Sequence, residues 1–282
     1  MKETRDFEYN ANFFTLKLEE AAFSLSKIYS YTPIETPLFP LIPDMNKENL
    51  FKYMMCKNKI DSSIFDANLC VEIYKEFFAD YAVEKHLSNT KNEVDLLLNK
   101  LNALTNESVL IKSALLNYEI VNASIFPTQN REIADILSVV YLYKHNLLPT
   151  PYFYLNCREQ FEKIYDAGEM LDGYIFVFLT LVSQQAERHV EYLRNVAQLK
   201  EEISATVYSV INRPQSDRIV RLIFETPILT ADDMSKELGI TRGQAVRYLH
   251  VLEETGVLIG DDKQRNRTFY FARLLGFCFN LQ

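Results

Sequence analysis

The sequence predicts an all-α domain over residues 1–212 followed by a small α+β domain over residues 213–282, and three observations carry that prediction. Apolar residues recur at helical spacing almost without interruption from residue 47 to 211, and no convincing alternating strand precedes residue 255. All seven glycines (168, 173, 239, 243, 256, 260 and 276) fall after residue 167. After Gly256 the pattern changes to two short strand-like runs, Val257-Leu258-Ile259 and Thr268-Phe269-Tyr270-Phe271, joined by the polar stretch GDDKQRNR.

In chain order, residues 14–30 read as an amphipathic helix with Leu18, Ala21, Ala22, Leu25 and Ile28 on one face. Pro33, Pro37, Pro40 and Pro43 then impose extended chain, and the interleaved Ile34, Leu38, Phe39, Leu41 and Ile42 suggest a strap laid over the core. Helices are expected near 47–58, 63–81, 91–103, 108–124, 130–146, 155–166, 171–196 and 196–211, punctuated by Pro127, Pro149 and Pro151. The segment Asn212-Arg213-Pro214-Gln215-Ser216 is the expected domain boundary.

Composition excludes several classes. With 48% hydrophobic and 13% aromatic residues the chain has ample material for a core, so disorder is not expected. No run of eighteen apolar residues appears and the N-terminus MKETRDFEYN lacks a basic-then-apolar design, so neither a membrane span nor a signal peptide is expected, and the expected location is the cytoplasm. Cys56, Cys70, Cys157 and Cys278 form no CxxC pair and read as buried small hydrophobes rather than metal ligands. His86, His145 and His189 stand without a nucleophile or acid at informative spacing. Residues 213–282 carry ten Lys and Arg against nine Asp and Glu, a net of +1. Of the chain's 30 and 38, this leaves 20 and 29 for residues 1–212, a net of −9. Phosphate neutralisation needs cations, so any nucleic acid is expected at the C-terminal part.

That part is legible in detail. Residues 216–226 form a first amphipathic helix with Ile219, Leu222 and Ile223. Thr230 caps a short helix, ADDMSKEL, with Asp233 completing a capping box, and Gly239 stops it. Thr241 caps the next helix with Gln244 at the reciprocal position; Ala245, Leu249 and Leu252 form its core stripe and Gly256 ends it. Two helices across a tight glycine-containing turn, followed by a hairpin with a basic tip, form a winged helix-turn-helix pattern. Arg242, Gln244, Arg247 and His250 fall off the core stripe; Arg and Gln suit base edges, while Lys263, Arg265 and Arg267 of the hairpin suit phosphates. Duplex DNA is the expected partner, with docking of a protein on the same module as the alternative.

The stretch NLLPTPYFYLNCREQFEKIYDA resembles the GLLxxPxxYLSxYFxxNRxxYYxxL segment of the Fic family, and SQQAERHVEYLRNVAQLKEE resembles that family's next long helix. The resemblance implies an all-α transferase fold for residues 1–212, with a C-terminal winged helix as a common appendage. The family's motif HPFx(D/E)GNGRxxR, counted back from Asn146 where the family has glycine, falls on SIFPTQNREIAD, residues 124–135. Phe126 and Asn130 keep their positions. Ser124 replaces the general-base histidine, Thr128 the metal-binding acid, Gln129 and Arg131 the glycines, and Glu132 and Asp135 the arginines. Serine cannot take the proton of an attacking hydroxyl near neutral pH, threonine lacks a charge for magnesium, and two acids repel phosphates. The lack of glycine before 168 also argues against a backbone phosphate cradle.

The expectation is therefore a catalytically inactive Fic-like protein, without metal, cofactor or bound nucleotide. It would form a homodimer and act as a DNA-binding regulator or scaffold through its winged helix. The enzyme alternative is a divergent Fic nucleotidyltransferase that still holds a nucleotide through Asn130.

Overall fold

The computed structural model describes Phe7, Tyr9 and residues 15–29, 56, 59–78, 87–149, 155, 171–263 and 266–279. The strap expected over 33–43 and nearly all of the helices expected at 47–58 and 155–166 lie outside these residues. The described residues fall into two compact units, one ending at Glu187 and one beginning at Arg188. The division lies inside a helix, upstream of the boundary expected at 212.

The first unit is helical throughout its described residues: α1 (Thr15–Ile28), α2 (Ala67–Phe78), α3 (Leu87–Ala103), α4 (Val109–Ala123), α5 (Asn130–Lys144) and the first part of α6 (Leu171–Val210). On α2, Ala67, Cys70, Val71 and Tyr74 recur at helical spacing and are buried, while the Asp66 carboxylate accepts the Leu69 N–H at 2.9 Å at its start. Ser108 caps α4 by accepting from the Ile111 N–H at 3.2 Å. The core gathers Leu25, Ile28, Tyr74, Phe126, Tyr174 and Phe178, each at most 2% exposed. Burial of such side chains contributes about 1.5–3 kcal/mol apiece.

Polar groups inside this core are paired. The Asn117 amide donates to Asp135 at 3.0 Å and to the Ser138 hydroxyl at 3.1 Å, and its oxygen accepts from the Tyr174 hydroxyl. Ser138 donates to the Ala134 carbonyl at 2.7 Å, and the Ser24 and Ser183 hydroxyls meet at 3.1 Å. Polar groups in a helical core stay inexpensive only because each finds a partner.

Helix α6 runs unbroken for 40 residues, so the break expected at 196 does not occur. After Gly173 it contains neither glycine nor proline, and its buried stripe continues through Leu193, Val196, Leu199, Ile203 and Val207. A continuous stripe gives the chain no reason to turn.

The second unit adds α7 (Arg213–Glu225), β1 (Ile228–Thr230), α8 (Ala231–Leu238), α9 (Arg242–Glu254), β2 (Ile259–Gly260), β3 (Thr268–Tyr270) and α10 (Ala272–Phe279). The three strands form one antiparallel sheet in the order β1-β3-β2, with Phe269 opposite both Leu229 and Gly260. Strand β1 corrects the expectation of no strand before residue 255. Its three residues are too few to show a period of two, and its partner lies forty positions downstream. Helix α10 was also unforeseen. The core of this unit packs Phe224 edge-on to Phe271, ring centres 5.0 Å apart, beside Ile219, Ile223, Leu249 and Leu252. The chain is thus mostly helical, with a small three-stranded sheet near its C-terminus. Among the described residues no helix is long and apolar enough to cross a membrane.

Candidate nucleic-acid interface

The α8–turn–α9 unit is set by its end groups. Both expected capping boxes form: Thr230 with Asp233, and Thr241 with Gln244. Gly239 ends α8 at φ +62°, and the Ile240 N–H reaches back to the Ser235 carbonyl at 3.1 Å. The Ser235 hydroxyl then holds the Ile240 carbonyl at 2.6 Å, and Arg218 of α7 donates to the Leu238 carbonyl at 2.6 Å. Four successive end groups thus fix the angle at which α9 leaves the turn. At the far end Gly256, φ +72°, closes α9 through Val257 N–H to the Leu252 carbonyl at 2.8 Å.

Ala245, Leu249 and Leu252 bury one side of α9. Its open face carries Arg242, Gly243, Val246, Arg247 and His250, and the first acid along the helix is Glu253. The expected contact residues divide on this face. Arg247 is exposed, its guanidinium 5.8 Å from the Tyr248 ring centre, and it makes no ion pair among the described residues. Arg242 is paired to Asp232 of α8 at 2.7 Å, with both side chains more than half exposed. Such a pair is worth about 0–1 kcal/mol and is readily exchanged for a phosphate or a base edge. Gln244 is occupied: its side-chain oxygen accepts the Thr241 N–H at 3.0 Å and the Thr241 hydroxyl at 3.1 Å. Its residue type suits adenine, but its position makes it a cap first.

The hairpin residues behave differently from expectation as well. Arg267 donates to both Glu253 oxygens, at 2.6 and 2.8 Å, and through Nε to the Asp261 carbonyl at 2.6 Å. Glu253 also accepts the Gly260 N–H at 3.2 Å. A Cβ at Gly260 would lie 2.5 Å from the Arg267 guanidinium, so a larger residue there would displace that side chain from its present position. Arg267 is therefore a strut that fastens the hairpin to α9. Lys263 is exposed and 3.8 Å from Asp261, while Arg265 lies outside the described residues.

Between these elements lies a cleft of about 820 Å³. It is lined by Thr230 and Asp232, by Arg242, Val246 and His250 of α9, and by Asp261, Asp262, Lys263 and Arg267 of the hairpin. Both signs of charge face it, with Phe269 and Val246 as its apolar surface.

In the first unit, residues 124–135 form a loop leading into α5. Ser124 ends α4 in a left-handed conformation, φ +52°, and Gln129 precedes α5 at φ +55°. Asn146, after α5, is left-handed too, φ +60°. Left-handed backbone thus occurs before residue 168 at residues other than glycine. A side chain is carried at each bend, at a cost of about 1–2 kcal/mol per residue. The Gln129 amide, with its nitrogen turned to the acid, donates to both Glu132 oxygens at 3.0 and 3.2 Å.

Asn130 closes on the loop itself. Its oxygen accepts the Phe126 N–H at 2.7 Å and its nitrogen donates to the Phe126 carbonyl at 2.6 Å. Phe126 is buried against Tyr74, ring centres 4.8 Å apart, and the Tyr74 hydroxyl meets Thr128 Oγ1 at 3.0 Å. Thr90 donates to the Ile125 carbonyl at 3.2 Å, and Asp135 accepts from Asn117. Phe126, Thr128, Asn130 and Asp135 are thus each engaged with neighbouring protein groups, while Ser124 caps α4 from the surface. His145, in turn, ends α5, with Nδ1 2.8 Å from the Tyr141 carbonyl oxygen. Among the described residues no three His, Cys, Asp or Glu side chains gather to hold a metal. Compared with known proteins, the chain matches no family model and no curated relative.

Proposed function

We propose that the second unit is a winged helix that binds duplex DNA, with α9 as the helix that enters the major groove. The observation that carries this reading is the open face of α9. Over three turns it presents Arg242, Val246, Arg247 and His250 and no carboxylate before Glu253, in a chain whose formal net charge is −8. In a protein this acidic, a helix that carries two exposed guanidinium groups and no carboxylate of its own before Glu253 supports that face as a surface for phosphate-lined DNA. The first unit, with its resemblance to the Fic family, serves in this reading as a non-catalytic regulatory or scaffolding domain. Asn130 and Thr128 are spent on the loop, so the segment aligned with the family's motif is a structural turn.

Fluorescence anisotropy of the full chain on duplex genomic fragments, at low and at moderate salt, tests this. Binding that weakens with salt and is lost in Arg247→Ala is expected; salt-insensitive or absent binding would sink the proposal. A second reading, docking of a protein on the hairpin, draws on Asp232, Asp261 and Asp262 at the cleft and on Ile259, 58% exposed on β2. Absent or salt-insensitive binding in the same assay would favour it.

A further inference from the structure

Resting on the DNA-binding reading, a finer assignment follows from two residues on α9 that the fold itself does not need. Gly243 sits within the first turn of the helix, exposed, at an ordinary helical φ, and a Cβ built there meets nothing within 4 Å. Neither backbone conformation nor packing calls for glycine, and alanine would favour the helix more. Val246, one turn on, is 37% exposed where a surface helix ordinarily carries a polar residue. The two lie three positions apart, on one side of the helix, flanked by Arg242 and Arg247. A bare backbone position beside an apolar side chain, bracketed by two guanidinium groups, is complementary to an anionic partner that presents an apolar spot at its point of closest approach. In the major groove that spot is the 5-methyl group of thymine.

We propose that the first two turns of α9 seat on a base-pair step that carries a thymine, with Val246 packed on its methyl group. Gly243 leaves out the Cβ that would hold the helix away from the bases. Arg242 and Arg247 contact the flanking groups, Arg242 after leaving Asp232. This makes Gly243 and Val246 determinants of sequence preference, although neither can donate or accept a hydrogen bond through a side chain.

The test uses the full chain and random-sequence duplex DNA. Bound duplexes are enriched, and the preferred one is resynthesised with deoxyuridine in place of each thymine in turn. At one position the change should weaken wild-type binding about fourfold, the equivalent of one buried methyl group, and should leave Val246→Ala unaffected. Gly243→Ala should bind about tenfold or more weakly with a thermal midpoint no lower than wild type. A preferred duplex with no uridine-sensitive position, or a Gly243→Ala variant that binds as wild type does, overturns this assignment and leaves DNA binding standing. Enrichment of no duplex overturns the DNA-binding reading and this assignment with it.

Discussion

Asn130→Ala should destabilise the first unit by about 2–3 kcal/mol. Two hydrogen bonds are lost, at 2.7 and 2.6 Å, both to the backbone of Phe126. Each contributes about 1 kcal/mol net, and the stranded Phe126 N–H and carbonyl add a desolvation cost in a partly buried site. Water replacing the amide would recover part of this, which sets the upper end. Urea unfolding followed by far-ultraviolet circular dichroism reads the change, and with a slope of about 2 kcal/mol per molar urea it moves the midpoint by about 1 M. Hydrogen exchange should show the Phe126 amide losing protection before the amides of α5 do. Asn130→Asp sharpens the test. Its ionised carboxylate still accepts from the N–H but opposes the carbonyl that stands 2.6 Å from the present amide nitrogen. Protonated, it can donate to that carbonyl, so its carboxyl pKa is raised in the folded state. The deficit relative to wild type should therefore shrink as pH falls toward about 4. A change under about 0.5 kcal/mol for Asn130→Ala, or a pH-independent deficit for Asn130→Asp, would refute the clamp. If Asn130 instead held a nucleotide, ATP with magnesium would raise the wild-type thermal midpoint and leave that of Asn130→Ala unmoved.

Asp232→Asn should strengthen DNA binding by about two- to fivefold with stability nearly unchanged, since the exposed pair with Arg242 is worth about 0–1 kcal/mol; weaker binding would contradict its role as a competitor for Arg242. Glu253→Gln should cost about 1–2 kcal/mol and speed exchange across 259–270, because Arg267 loses its bidentate partner; unchanged exchange would mean that the hairpin is held by β1 alone. His189 is buried, and desolvation lowers its pKa from 6.5 to about 4, so the folded state resists protonation where the unfolded chain accepts it. Its contribution is complete above pH 6.5 and is lost as pH falls toward 4, by about 3 kcal/mol in total. Replacing it with leucine should flatten that part of the urea-midpoint profile, and an equal slope in the variant would rule the histidine out as its cause.

How much was legible depends on the range of the interaction. Thr230 with Asp233 and Thr241 with Gln244 were readable because a capping box spans three residues of sequence. The same closeness made Gln244 ambiguous, as a residue type suited both to a cap and to adenine. Arg267 was read as a phosphate contact because its partner Glu253 lies fourteen residues away, across a turn and a hairpin. Strand β1 went unseen because its partner is forty residues off, and α10 because its aromatic run reads equally as strand. In the loop at 124–130, the residue types argued against transfer chemistry, but nothing in their order announced that Asn130 would fold back on Phe126.

Composition and periodicity alone determined that this chain is a helical assembly with a small mixed α+β end, because core stripes, caps and glycine stops are local and leave a regular trace. Tertiary structure alone decided which cations are free. Arg242, Arg247 and Arg267 are equivalent as letters, yet Arg242 is held by an exposed acid, Arg247 has no ion pair among the described residues and Arg267 is locked into the hairpin. The physical reason is that a guanidinium's availability depends on the nearest carboxylate in space, and in both pairs the chain brings that carboxylate from another element.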